Sequence, residues 1–260
     1  MEKFRLDVLL VERGLADSRS LAQRLVMAGQ VRVNGEVELK PSTRISSDVR
    51  LTVDHGPRYV SRGGEKLEAA LQAFGLTTLG GIPCADIGAS TGGFSDCLLQ
   101  HGAGCVFAVD VGYGELHWKL RNDPRVTVME RTNARHVTGF PLPVELITID
   151  ASFISLRILL PAAIVWFGER PGRVVALIKP QFEAGRADAA KGEGVIRDPE
   201  VHRKVLRDVL IAAQDLGFGV KGLIRSPLLG PKGNTEFLVD LNWPGEKSAD
   251  WEGWVDGLLQ

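Results

Sequence analysis

The sequence predicts an α/β protein in which a doubly wound, mainly parallel sheet follows a small α+β module. Three observations lead to that expectation. Residues 84–110, CADIGASTGGFSDCLLQHGAGCVFAVD, read as strand, glycine-rich turn, helix, strand. From there to residue 241, short β-branched runs alternate with helical stretches, the pattern of a sheet covered on both faces. The first 58 residues carry a separate pattern of two helices and short strands.

Bulk composition bounds the function classes. The chain has 260 residues, room for one large domain and a small one, with 44% apolar and 24% charged residues. A net charge of −1 gives no global signal for nucleic acid, so any such binding must come from local patches. Cys84, Cys97 and Cys105 have no metal-ligand spacing, and reduced thiols suit a cytoplasmic protein. The start, MEKFRLDVLL, is too charged for a secretory leader. The longest apolar run, 158–167, contains Pro161 and falls far short of the roughly 20 residues of a bilayer span. No membrane and no metal partner is expected.

In chain order, Leu6, Leu9 and Leu10 make one helical face that Gly14 ends. Ser18 caps a second helix with Leu21, Leu25 and Ala28 inward, stopped by Gly29. Val31 to Val33 alternate as a strand, Asn34-Gly35 is a hairpin turn, and 49–53 close the module. Ten Lys/Arg stand against eight Asp/Glu over residues 1–58, so the bulk excess is small. Arg19, Arg24 and Arg32 recur around the second helix and the turn after it, where they can track phosphates; Arg5 and Arg62 are further candidates. Residues 59–65 read as a linker, and Lys66 opens a helix with Leu67, Ala70, Leu71 and Phe74 on one face.

The glycine turn is the candidate cofactor site. Gly88, Gly92 and Gly93 allow a sharp turn and close approach of a ligand, and the helix behind them presents free N–H groups. Asp110 lies about 20 positions past the first glycine, where a carboxylate suits a ribose diol. The loop G-A-S-T-G-G is not the G-x-G-x-x-G of dinucleotide sites, and Asp86 just before it would repel phosphate while attracting an ammonium. S-adenosylmethionine (SAM), which carries adenosine, a sulfonium and an amino group but no phosphate, fits better. Gly88-x-Ser90-x-Gly92 also matches a nucleophile elbow, but His136 and His202 have no setting that would complete a triad.

Beyond Asp110, 113–122 read as a helix, 126–129 as a strand followed by Asn133, 146–149 as a strand ending at Asp150, 152–167 as a helix, and 173–178 as a strand ending at Lys179. In a parallel sheet these positions converge on one crevice at the strand C-termini. Residues 183–197 read as a mobile loop, 199–216 as a helix, and 218–225 with 236–241 as a terminal hairpin. Trp251, Trp254 and Leu258 sit at the spacing of a packed C-terminal helix.

Two resemblances sharpen these expectations. RLDVLLVERGLADSRSLAQRLVMAGQVRVNG resembles the S4 domain, a small RNA-binding module. The order Lys66, Asp150, Lys179, Glu236, each at a strand or helix end, resembles the catalytic tetrad of FtsJ-type RNA 2′-O-methyltransferases. With SRGGEKL, GASTGGFSD, VDVGYGELHWKLR, TIDASFISL, LIKPQFE and GNTEFL, the whole chain resembles the haemolysin-A-type (TlyA) family. That resemblance implies a Rossmann-like methyltransferase sheet over 66–260, an S4-like domain over 1–58, and SAM-dependent 2′-O-methylation of cytidine in ribosomal RNA, free or within subunits. It implies Lys66, Asp150, Lys179 and Glu236 as the catalytic set, with Lys179 as base, and a cofactor site of Asp86, Gly88, Ala89, Ser90, Thr91, Gly92, Gly93, Asp110, Asn133 and Asp150. Arg58-Tyr59-Val60 departs from the Arg-x-Trp-Val linker of some members, so linker control of the cofactor does not carry over. A non-catalytic ribosome-assembly factor and a membrane-damaging protein are the competing readings.

Overall fold

A computed structural model describes residues 3–54, 56–185, 194–247 and 250–259. The chain divides into two compact units, Met1–Arg58 and Tyr59–Gln260.

In the smaller unit, strand β1 (Lys3–Arg5) leads into helix α1 (Leu6–Glu12), then α2 (Arg19–Met27), β2 (Val31–Val33), β3 (Glu36–Val37), β4 (Arg44–Ser46) and β5 (Leu51–Val53). Ser18 caps α2 as expected, its Oγ accepting from the Leu21 N–H at 3.2 Å. Asn34 and Gly35 both take positive φ, the backbone a tight hairpin demands. Strand β2 is the centre of a three-stranded sheet between β3 and β5. Leu6, Leu10, Ala22, Val26 and Val31 are fully buried at its core. The inward stripe of α2 is Ala22, Leu25 and Val26, and the expected Ala28 lies exposed beyond the helix end. Sequence reading missed the β1–β4 pair, because three-residue strands show no period.

The larger unit opens with α3 (Gly63–Ala73), β6 (Pro83–Ile87), α4 (Gly93–Gln100), β7 (Cys105–Val109), α5 (Trp118–Arg121), β8 (Val126–Met129) and β9 (Leu146–Ile149). It continues with α6 (Leu156–Phe167), β10 (Gly172–Ile178), α7 (Pro180–Glu183), α8 (Pro199–Asp215), β11 (Gly219–Arg225), β12 (Phe237–Trp243) and α9 (Trp251–Leu258). The seven strands lie in the order β11-β12-β10-β9-β6-β7-β8. Strands β8, β7, β6, β9 and β10 run parallel, and β12 is antiparallel to both of its neighbours. The strand order reverses between β6 and β9, which opens a crevice at their C-terminal ends. Apolar clusters cover both faces: Ile87, Ile147 and Ile149 belong to one, Cys84, Leu146 and Val175 to the other.

Three expected boundaries moved. Residues 59–65 are not a free spacer: Tyr59 is 2% exposed, the Val60 N–H donates to Asp96 at 2.9 Å, and α3 starts at Gly63 rather than Lys66. The helix expected over 113–122 shrinks to α5, because Gly114 has φ +77° and its N–H is held by Glu130. The helix expected from Ser152 starts at Leu156, since Phe153 has φ +63° and Ser155 is the cap. Of the loop expected over 183–197, residues 186–193 lie outside the described residues.

Candidate active site

The site is built on the turn that links β6 to α4. Gly88 has φ +83°, and a Cβ there would sit 2.7 Å from the Asp150 carbonyl oxygen. Only glycine therefore lets the end of β6 lie against the end of β9. A Cβ on Gly93 would meet Ser61 Oγ at 2.3 Å, so the start of α4 presses on the segment ahead of α3.

Asp110, just past β7, accepts from the backbone N–H groups of Ser90 and Gly112, both at 2.7 Å. Its carboxylate ties the glycine turn to the next strand end, and the residue lines the crevice. Ser90 Oγ donates to Glu115 at 3.2 Å, not to a histidine, so the nucleophile-elbow reading has no base. A chamber of about 440 Å³ lies here, walled by Gly88, Asp110, Glu115, Asn133, Asp150 and Phe153. Asn133 also caps a short turn, its Oδ1 accepting from the Arg135 N–H at 3.1 Å.

A second chamber, of about 320 Å³, adjoins the first and is walled by Arg62, Lys66, Thr91, Lys179 and Gly230. Gly88, Ser90, Asp150 and Ser152 belong to both. Ala89 and Gly93 line the second chamber, and Gly92, with φ +94°, caps α4 from behind.

Two ion pairs stand at this second chamber. Lys179 Nζ lies 2.6 Å from Asp150 Oδ1 and 3.0 Å from Ser152 Oγ. Lys66 Nζ lies 2.6 Å from Glu236 Oε2, and the Glu236 side chain is wholly buried. Gln181 Nε2 approaches the other oxygen of Glu236 at 3.4 Å. Four residues spread over 170 positions of sequence thus meet as two lysine–carboxylate pairs. Short ion pairs of this kind, sheltered from water, hold side chains in fixed geometry.

Asp86 stands apart from the other expected cofactor residues. Asp86 lies inside β6 with no exposure, accepting from Ser95 Oγ at 2.7 Å and Thr148 Oγ1 at 3.1 Å, and it lines neither chamber. Burial with neutral partners pushes its carboxyl up to about 7. A fully buried strand is apolar on both faces, so its sequence gave no sign of which way Asp86 points.

The candidate RNA contacts divide. Arg5 and Arg19 both bond the buried Asp7, at 2.9 and 3.1 Å, and Gln23 joins them at 2.8 Å. Arg24 is exposed, Arg32 reaches the Gly35 carbonyl at 3.4 Å, and Arg62 is exposed on the wall of the second chamber. Sequence reading assigned no role to Ser152, Glu115 and Gln181, polar residues within recognised motifs whose partners only the tertiary fold supplies. Among the described residues, no group of three His, Cys, Asp or Glu could hold a metal ion, and no helix is long and apolar enough to cross a membrane.

A glycine turn with an acidic strand end, at the switch point of a sheet closed by an antiparallel last strand, defines a methyltransferase domain of Rossmann type. Comparison with known proteins agrees. The FtsJ-like methyltransferase model matches residues 59–243, and the S4 domain model residues 4–51. The "Putative rRNA methyltransferase YqxC" of Bacillus subtilis is 52% identical over 94% of this chain and 88% of its own length. The "16S/23S rRNA (cytidine-2'-O)-methyltransferase TlyA" of Mycobacterium tuberculosis is 45% identical over 98% of this chain and 95% of its own. A solved structure, "Putative hemolysin from Streptococcus thermophilus", is 44% identical with a TM-score of 0.73, covering 100% of this chain and 95% of that one. The chain belongs to the FtsJ-like methyltransferases, in the S4-bearing, haemolysin-A-type (TlyA) family.

Proposed function

We propose that this protein transfers a methyl group from SAM to the ribose 2′-hydroxyl of a cytidine in 16S or 23S ribosomal RNA, in the cytoplasm. The observation that carries the reading is the Lys179–Asp150 pair, set where the two chambers meet and beside the Lys66–Glu236 pair. The substrate class is the activity named for the M. tuberculosis relative.

The first chamber suits SAM in size and charge. Asp110 would take the ribose hydroxyls, Asn133 the adenine end, and the Gly88–Ser90 backbone the end toward Asp150. Bound there, SAM supplies an electrophilic methyl group. The acceptor ribose belongs in the second chamber, between the two lysines. Lys179, with its proton taken up by water, accepts the 2′-hydroxyl proton as oxygen attacks, and Asp150 holds the ammonium that results. Ser152 fixes the direction of Nζ. Lys66 stabilises the developing negative oxygen, and buried Glu236 keeps that lysine in place. Both pairs are largely shielded from bulk water, with side chains 0–22% exposed, which strengthens each interaction.

The S4-like unit supplies phosphate contacts. Arg24 and Arg32 present exposed guanidinium groups, while Arg5 and Arg19 are held in fixed orientation by Asp7. Such contacts position RNA without reading its sequence.

The test is incubation with tritiated-methyl SAM and ribosomal subunits or rRNA from a host lacking this enzyme. The expected product is label in 2′-O-methylcytidine. RNA binding with no label in any substrate would favour an assembly factor instead.

A further inference from the structure

Helix α7 and the loop 150–155, which joins β9 to α6, are fastened to one another at three places. Lys179, at the head of α7, bonds Asp150 and Ser152. Phe182 packs on Phe153 with ring centroids 4.9 Å apart. Glu183, the last residue of α7, accepts from Ser155 Oγ at 2.5 Å and from the Leu156 N–H at 2.6 Å. Its side chain is 2% exposed, so these bonds are sheltered from water. Arg157 encloses the same group, with Nε 3.7 Å from the carboxylate and a 3.2 Å bond to the Glu183 carbonyl.

The loop itself is under strain. Phe153 adopts φ +63°, a conformation that side-chain-bearing residues rarely take. At its near end the loop continues from a central strand, where the Asp150 N–H bonds the Ile87 carbonyl at 2.9 Å. At its far end the carboxylate of Glu183 occupies the first turn of the twelve-residue α6, where free N–H groups and the helix dipole favour an anion. Both Asp150 and Ser152, the partners of Lys179, ride on the segment between these anchors.

We propose that Glu183 is a positioning residue for Lys179: by tying the head of α6 to the foot of α7 it fixes the loop that carries Asp150 and Ser152 against the lysine. Glu183 touches neither chamber and takes no part in proton transfer. This assignment rests on the catalytic reading of Lys179 given above. The cost of holding it is visible, since burial pushes the Glu183 carboxyl above the usual carboxylate range while its bonds to Ser155 and Leu156 oppose that shift.

The experiment compares wild type, Glu183→Ala and Glu183→Gln by kcat and KM and by amide hydrogen exchange over residues 150–155. In Glu183→Ala we expect kcat to fall ~10-fold or more with KM little changed, as a loosened lysine misses its attack geometry. Exchange over 150–155 should speed up. Glu183→Gln keeps an acceptor for the Leu156 N–H and should restore kcat and the protection. A Glu183→Ala protein that melts earlier but keeps wild-type kcat and wild-type protection of 150–155 would overturn the proposal and leave Glu183 a helix cap only. The exchange measurement needs no turnover. If wild type methylates no RNA, the catalytic reading fails, whereas unchanged protection in the variant refutes the positioning role by itself.

Discussion

Asp7 in the small unit and Asp86 in the large one are both closed off from water, yet they lie at opposite ends of the carboxylate range. Asp7 is met by two guanidinium groups and an amide, and its carboxyl is held far below the ordinary value, chiefly by Arg5. Asp86 is met by two hydroxyls and no cation, and burial pushes it up to about 7. What separates them is the charge of the partner, not the depth of the carboxylate. Glu236 is likewise buried with a cation as its partner, Lys66 at 2.6 Å. A buried carboxylate beside a cation orients that cation; one beside hydroxyls ties neighbouring elements together.

The largest effect expected from this contrast is at Glu236. Lys66→Met would leave a buried carboxylate with no cation and should destabilise the protein by about 3–5 kcal/mol. Adding Glu236→Gln should recover most of that loss in a denaturant melt. Full destabilisation in the double variant would mean that the pair matters through packing and not through charge.

Asp86 gives the next largest effect, and its sign follows from linkage. A carboxyl raised in the folded state binds its proton more tightly there than in the unfolded chain. Its stabilising contribution is complete below about pH 4, near the ordinary aspartate value of 3.8, and is lost as pH rises to about 7. Asp86→Asn should abolish this decline, worth on the order of 2–4 kcal/mol, and leave cofactor affinity unchanged. A variant that still loses stability over that window, or that binds SAM poorly, would reverse the placement of Asp86.

The small unit should behave oppositely. Asp7 is depressed, so its contribution is present at neutral pH and is lost as pH falls below about 4. Arg5 and Arg19 are 38% and 57% exposed along their side chains, which weakens the pairs by solvent screening. Asp7→Asn should therefore cost only about 1–3 kcal/mol at pH 7, and less at pH 3. If Arg5 and Arg19 contact RNA as proposed, the RNA affinity of Asp7→Asn should fall as well, since both arginines lose their anchor. Binding equal to wild type would show that neither arginine needs Asp7.

Much of this was legible in the amino-acid order. The glycine turn, the acids at strand ends and Lys179 after β10 are local patterns, and the parallel-sheet reading placed Asp150 and Lys179 at converging strand ends, whereas Lys66 and Glu236 came in only through the resemblance to the FtsJ-type tetrad. Long-range partners were not legible. Nothing local shows that Arg5 and Arg19 meet Asp7, or that Glu183 reaches Leu156 from 27 residues away. The burial of Asp86 away from both chambers was not legible, because a strand buried on both faces carries no alternation. The segment 59–65 was misread because glycines and arginines mark a linker in sequence, whereas here Gly64 packs so tightly on Tyr59 that a Cβ would sit 2.3 Å from its ring.

The most direct test of the account compares wild type, Lys179→Ala and Asp86→Asn for tritiated methyl transfer to ribosomal RNA, with nucleoside analysis of the product. Wild type and Asp86→Asn should yield 2′-O-methylcytidine, and Lys179→Ala at least ~100-fold less. Equal label from wild type and Lys179→Ala, or loss of label in Asp86→Asn with SAM binding gone, would contradict it.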